Sequence, residues 1–464
     1  MNSKHDNPAY APDTLGMNAQ EMRRLGYSVV DAVVQHLEHR HKEPAIACAS
    51  QDALREALGG PVPEIALSAD ASLDILIHSA LLHQQHGDHP RYFARVPGPS
   101  SFAAILGEWL GVGFNTIAAS WPGGAGPSTV ELTVIDWLRQ LMGLPEGTEG
   151  VLVSGGSQAS LTAIAAVRAL KGPGCVYLSD QTHSSLLRAL SSLGFAEQDI
   201  RILESDADYR LTAESVQNAI SRDKQRGLSP SMVIATAGTT NTGAIDPLHA
   251  LADLCAEQDV WLHVDGAYGA PAALTESGKA SLDGISRADS LTLDPHKWLF
   301  QPYDLGCLLI KPGILEACFS MNPEYLKDVQ GSGSSIDFRN RGFELTRRSR
   351  ALKLWFSFRS YGVAKFREAI DYSIALTEFA EEYLRTNPQR WEVVTPAQIG
   401  IICFALRGES QQEHERRAQS LSDSGFACVS TTRLKGRTVL RLCIINPLTT
   451  RADITETIDR LAAG

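Results

Sequence analysis

The chain has 464 residues, 44% of them hydrophobic, and a formal net charge of −11 spread along its length. That is long enough for a large core and a second domain, and too apolar for a disordered chain. The acidic balance speaks against a nucleic acid or an anionic membrane as partner, and no apolar run reaches the roughly 18 residues of a membrane span. Eight scattered cysteines without a CxxC pair read as buried thiols in a reducing compartment, with no structural metal expected. The start, Met-Asn-Ser-Lys-His-Asp-Asn-Pro, lacks the apolar core of a signal peptide, so the cytoplasm is the expected location.

Residues 1 to about 13 are polar and read as a loose tip. An amphipathic helix is predicted from Asn18, through Met22, Leu25, Val29, Val33 and Leu37, with Asn18 or Thr14 as its cap. Ser68 to Gln85 reads as a second helix. Ser101 to Ile117 is apolar, and Trp121–Pro127 reads as a turn-rich loop before a helix capped by Ser128, with Glu131 completing a capping box. From Gly150 the pattern is regular. Strands are predicted at 151–154, 175–179, 200–204, 232–236, 260–264 and 290–293, with helices between most of them. This alternation predicts an α/β fold with a mainly parallel sheet, helices on both faces and chemistry at the strands' carboxyl ends. Residues 328–342 are polar and rich in Gly and Ser, the composition of a mobile loop, and a helix follows from about Ser349 to Tyr361. The expected organisation is an N-terminal helical arm over 1–100, a large domain over 101–365 and a small C-terminal α+β domain over 366–464.

Three stretches carry chemistry. In Asp294-Pro-His-Lys-Trp298 a strand ends and Lys297 follows, where desolvation and nearby cations would lower its pKa and make it a competent nucleophile. Read alone, Lys297 is a surface lysine. Val260-Trp-Leu-His-Val-Asp-Gly-Ala-Tyr268 puts Asp265 at another strand end, or else leaves it a simple cap. Gly150-Val-Leu-Val-Ser-Gly-Gly-Ser157 is a strand, a glycine turn and a helix start, whose free amides suit a phosphate. An amine, a buried acid and a phosphate cradle are the parts that a pyridoxal phosphate enzyme needs.

Together with His89-Pro-Arg-Tyr-Phe93, Ser179-Asp-Gln-Thr-His-Ser-Ser185, Ala235-Thr-Ala-Gly-Thr-Thr240 and Arg347-Arg-Ser-Arg-Ala-Leu-Lys-Leu-Trp355, these stretches make the chain resemble the group II pyridoxal-phosphate-dependent amino acid decarboxylases, the family of aromatic L-amino acid decarboxylase. The likeness implies a fold-type I enzyme that acts as a homodimer with its active site at the subunit interface. It implies pyridoxal 5'-phosphate as cofactor, joined to Lys297. Asp265 then pairs with the pyridine nitrogen, and His183 stacks on the ring and holds the substrate carboxylate. Gly155, Gly156, Ser157 and His296 take the phosphate. Thr240, Ala267 and, one layer out, Asp246 stand beside the ring. Asp294 is left out of this set, because a carboxylate beside a phosphate is repulsive. Arg347 and Arg348 read equally well as residues that position the loop or pair with carboxylates, or as a solvated basic face.

Two departures bear on the reaction. Where the family's mobile loop carries a proton-donating tyrosine, this chain has Phe338, which has no transferable proton; nearby Tyr325 matches a different segment of the family. In related plant aldehyde synthases the same swap accompanies reaction with O₂ and release of aldehyde, ammonia and peroxide. Around Arg95, Gly98 and Ala119 the pocket is less bulky than in the aromatic-specific enzymes, while Ile117 is kept. A bulky aromatic, or a substrate with a distal acid, suits such a pocket. The expected reaction is decarboxylation of an L-amino acid, the aromatic ones first, to the amine and CO₂. The alternatives are decarboxylation-coupled oxidative deamination and a catalytically inactive, cofactor-binding regulatory protein.

Overall fold

The computed structural model describes residues 15–96, 98–321, 324, 330–333 and 335–463. The chain divides into two compact units, one ending at His86 and one beginning at Gly87. The boundary is thus earlier than the expected 100/101. Residues 89–93 already belong to the second unit, where Phe93 lies in the core of the small sheet and its N–H donates to the Cys428 carbonyl at 2.8 Å.

In the first unit, Asn18 caps the helix Ala19–His39 by accepting from Glu21 N at 2.9 Å. Thr14, the other candidate cap, and residues 1–13 lie outside the described residues. Ser50 caps Gln51–Leu58, and Ser68 caps Ala69–Ile75, which runs on as a π-helical turn over Leu76–Leu81. None of these helices buries a residue fully, and Met22, Tyr27, Val29 and Val34 remain exposed.

In the second unit a seven-stranded sheet forms from β1 (Glu149–Val153), β2 (Cys175–Ser179), β3 (Ile200–Leu203), β4 (Pro230–Thr236), β5 (Trp261–Asp265), β6 (Ser290–Leu293) and β7 (Gly306–Ile310), in the order β1-β7-β6-β5-β4-β2-β3. Only β7 runs against its neighbours. The connection from Asp294 to Leu305 has no crossover helix, so the chain returns antiparallel. β2, β5, β6 and β7 are buried along their whole length, as expected for a sheet covered on both faces. A second, antiparallel sheet, β10-β11-β9-β8, is built from β8 (Trp391–Gln398), β9 (Ile401–Leu406), β10 (Ser430–Leu434) and β11 (Arg437–Cys443). The expected boundary at 365/366 falls inside the helix Val363–Arg385, which follows the helix Ala351–Tyr361 across Gly362 at a φ of +73°.

Two expectations for loops are corrected. Trp121–Pro127 is not a loop but the start of the helix Trp121–Leu141, interrupted only at Gly124. Pro122 is tolerated in the first turn, and a Cβ at Gly124 would stand 2.0 Å from the Ile117 carbonyl oxygen. Ser128 and Glu131 are therefore interior and buried, not a capping box. The described end of the 328–342 segment is also packed. Phe338–Asn340 form a 3₁₀ turn, and 337–341 are buried. The Asp337 carboxylate accepts from Trp121 N at 2.7 Å and Gly331 N at 2.9 Å, and Arg339 N donates to the Ala119 carbonyl. Tyr325 lies outside the described residues. Among the described residues, no helix is long and apolar enough to cross a membrane.

Candidate active site

The parallel strands β1, β2, β4, β5 and β6 point their carboxyl ends to one edge of the sheet, and the chemistry-bearing residues follow those ends. β6 runs into Asp294, and a tight turn, with Lys297 N donating to the Asp294 carbonyl at 2.9 Å, brings Lys297 back over it. Lys297 Nζ then lies 2.9 Å from Asp294 Oδ2. A Cβ at Gly98 would stand 1.6 Å from the Lys297 carbonyl oxygen, so only glycine fits there.

The expected lowering of the Lys297 pKa is corrected. Burial pulls it down, but Asp294, with Asp265 and Tyr303 behind it, outweighs that and holds the amine as an ammonium above its ordinary value. The lysine sits among anions, not cations. Asp265 ends β5, is 8% exposed and accepts from Ala267 N at 3.1 Å. Burial pushes its pKa up, while Lys297, the Ala267 amide and His183 pull it back.

β1 ends before Gly155, which opens the helix Gly156–Lys171 without any side-chain cap. Ser157 is exposed in its first turn. A Cβ at Gly155 would stand 3.1 Å from the His296 ring, and one at Gly156 would stand 2.9 Å from Asp294 Oδ2 and 3.0 Å from the Ala267 methyl. The glycine pair thus lets an uncapped helix N-terminus lie directly against the His296–Lys297 turn and Ala267. Burial pushes the His296 pKa down, so the ring is neutral. Its Nδ1 accepts from Leu305 N at 3.1 Å, which leaves Nε2 carrying the proton. Gly155, Gly156, Ser157 and His296 are therefore donors to an anion, Lys297 is an amine for a carbonyl and Asp265 is a buried acid for a ring nitrogen. These groups fit pyridoxal phosphate.

His183 is exposed and caps the helix Ser184–Ser192, with Ser185 N donating to its Nδ1 at 3.3 Å. That bond leaves Nε2 as the proton-bearing nitrogen. Thr240 follows β4, and its carbonyl accepts from Arg441 Nε at 2.8 Å. Asp246 accepts from Thr236 N and Leu211 N, both at 2.7 Å, and burial pushes its pKa up to about 7. Arg95 is exposed at a φ of 56°, and its carbonyl accepts from Arg441 Nη1 at 3.3 Å. Ile117 is 40% exposed and pairs with Arg348, and Ala119 is buried. The described contacts tie both to the 337–348 stretch, with none to Lys297.

Phe338, read as standing at the loop tyrosine's position, is packed inside this chain. Its ring is 1% exposed, in the core, with the Arg347 guanidinium 4.9 Å and the Arg341 guanidinium 5.8 Å from its centroid. Arg347 is no solvated face either. It is buried against Glu131 (2.7 and 2.9 Å) and the carbonyls of Ala118 and Leu152. Arg348 is exposed and pairs with Glu108 and Asp304.

Sequence reasoning missed three residues. Asp294 was set aside, yet it is the ion-pair partner of Lys297; the three-residue spacing was the signal. The Tyr303 ring packs against His296, with centroids 4.9 Å apart and planes tilted by 56°, and it interacts electrostatically with Lys297 and Arg95. Arg441, on β11, ties Thr240 to Arg95 from far along the chain and left no local signal.

His263, two residues before Asp265, gives a pH prediction. It is fully buried, and burial depresses its pKa from 6.5 to about 3. The unfolded chain takes up this proton first, so the stability due to neutral His263 is present above pH 6.5 and is lost as pH falls toward about 3. The expected slope from this group approaches ~1.4 kcal/mol per pH unit in that window. Chemical denaturation of wild type and His263→Gln across the window tests it, and parallel pH curves would remove His263 as the cause.

Residues 64–407 match the model of the pyridoxal-dependent decarboxylase conserved domain. The chain is 44% identical to an aromatic-L-amino-acid decarboxylase of Bacillus atrophaeus, over 97% of each. It is 32% identical to a phenylacetaldehyde synthase of Arabidopsis thaliana, over 95% of each. A crystal structure of Oryza sativa TDC with PLP and tryptamine superposes with a TM-score of 0.91 at 29% identity, covering 98% of this chain and 99% of that one.

Proposed function

The chain belongs to the pyridoxal-dependent decarboxylase family and is a pyridoxal-phosphate-dependent amino acid decarboxylase; from that premise we propose that it converts aromatic L-amino acids to the corresponding amine and CO₂, as a cytoplasmic homodimer. The observation that carries this reading is the convergence of Lys297, Asp265, Asp294 and His183 at the sheet edge, beside the uncapped helix N-terminus at Gly155–Gly156. The similarity to the Bacillus enzyme supports the aromatic substrate class.

Bound, the cofactor supplies an electron sink for the pair left when the carboxylate departs. The chain does the rest. Asp265 would present a buried carboxyl group to the ring nitrogen, and His296 Nε2–H and the helix amides would hold the phosphate. His183 Nε2–H orients the substrate carboxylate, and Lys297 Nζ carries protons beside the reacting carbon. Each turnover consumes one proton at that carbon and releases CO₂. Apolar surface left exposed on the first unit, at Met22, Tyr27, Val29 and Val34, supports the homodimer.

A second reading, release of aldehyde with O₂ uptake, is favoured by similarity to the phenylacetaldehyde synthase. A product balance separates the two: pure enzyme, with tryptophan, tyrosine, Dopa or phenylalanine, followed for CO₂, O₂ and peroxide together. CO₂ without O₂ uptake is expected; matched O₂ uptake and aldehyde would replace the amine reading. Because Phe338 is packed between two guanidinium groups, Phe338→Tyr is expected to lower stability by about 1–3 kcal/mol and leave the product ratio unchanged. A higher amine share in that variant would restore Phe338 to the reaction.

A further inference from the structure

We propose that the first unit holds a divalent transition-metal site of the zinc class, formed by His36, Glu43 and His86. One donor atom from each of these residues lies within 4.8 Å of the other two. They arrive from three segments. His36 is in the last turn of Ala19–His39, and Glu43 follows the turn Arg40–Lys42, its N–H donating to the Arg40 carbonyl. His86 follows the helical stretch Ala69–Ile75 and its π-helical turn Leu76–Leu81, and is held by an antiparallel pairing, with His86 N donating to the Ala45 carbonyl at 3.0 Å and Ile46 opposite Gln85.

The donors are built for a cation. His36 Nδ1 lies 2.9 Å from Glu43 Oε2, and the two imidazole rings are 5.9 Å apart. His86 is 4% exposed, and its Nε2 lies 3.3 Å from the Leu82 carbonyl. That carbonyl takes the Nε2 proton, fixes the tautomer and leaves Nδ1 with a lone pair. A backbone carbonyl behind a metal-ligating imidazole is the usual orienting arrangement. Around a tetrahedral zinc the donors stand about 3.3 Å apart, so closing from within 4.8 Å takes only side-chain motion. Two imidazoles and one carboxylate suit zinc or its neighbours, with water at the fourth position. The metal would fasten three segments of a unit that has little core of its own.

The test uses the pyridoxal-phosphate-loaded enzyme, stripped with EDTA, dialysed and titrated with Co²⁺ alone while visible d–d bands are followed, then challenged with Zn²⁺. One equivalent of Co²⁺, displaced by Zn²⁺, is expected for wild type, with affinity at least ~10-fold weaker in both Glu43→Gln and His36→Gln. Both positions are only half-buried, so these variants fold even if His86→Ala does not. Cys48→Ser is expected to keep the site, since exposed Cys48 is not among the ligands. No stoichiometric uptake, uptake unchanged in Glu43→Gln and His36→Gln, uptake lost in Cys48→Ser, or uptake that follows cofactor content would overturn the proposal.

Discussion

Replacing Asp265 by asparagine is expected to cut turnover by ~10²–10³-fold without lowering the stability of the fold. The asparagine keeps an acceptor for the Ala267 amide, which lies 3.1 Å from Oδ1, and nearly the same volume at the end of β5. What it removes is a carboxylate that burial already makes costly to ionise. Lys297 keeps its nearer partner, because Asp294 remains 2.9 Å away. The substitution therefore separates chemistry from folding. Turnover at saturating substrate and the thermal midpoint, measured together, test it. A midpoint that falls in step with turnover would make Asp265 a structural residue, and unchanged turnover would remove it from the reaction.

The sheet edge was legible because its signals are local. A strand that stops at Asp265, a Gly-Gly helix start and the Asp-Pro-His-Lys turn each lie within a few residues, and the structure brings them together. β7 was not read, because a five-residue apolar strand after an irregular connection has no period to distinguish it. Asp294 was set aside by weighing it against a phosphate; its real neighbour is the ammonium three residues on. The 337–341 segment has a loop's composition but is buried, because Asp337, Phe338 and Arg339 find partners far away in the sequence. Glu131 shows the same limit. Three residues after Ser128 it matches a capping box, yet its carboxylate turns inward to Arg347, 216 residues distant.

That pair leads to the other large effect. Arg347 and Glu131 are 1% and 0% exposed, and the guanidinium also reaches the carbonyls of Ala118 and Leu152 and lies 4.9 Å from the centroid of the Phe338 ring. One side chain thus joins the helix Trp121–Leu141, β1 and the 338–340 turn. Arg347→Ala leaves the Glu131 carboxylate buried with only Leu152 N described as donating to it, at 3.0 Å. The expected cost is about 3–5 kcal/mol of unfolding free energy. Lysine is not expected to rescue it, because a point ammonium cannot serve two carboxylate oxygens and two carbonyls from one plane. Replacing both partners with apolar residues, Glu131→Leu with Arg347→Met, is expected to recover much of the loss, since the main penalty is the unpaired charge. Denaturant midpoints for the two single variants and the double variant close the cycle. Turnover per folded molecule in the double variant decides the role of Arg347. Near-wild-type turnover fits a residue that holds β1 and the turn in place, whereas a folded but inactive double variant would return Arg347 to the chemistry.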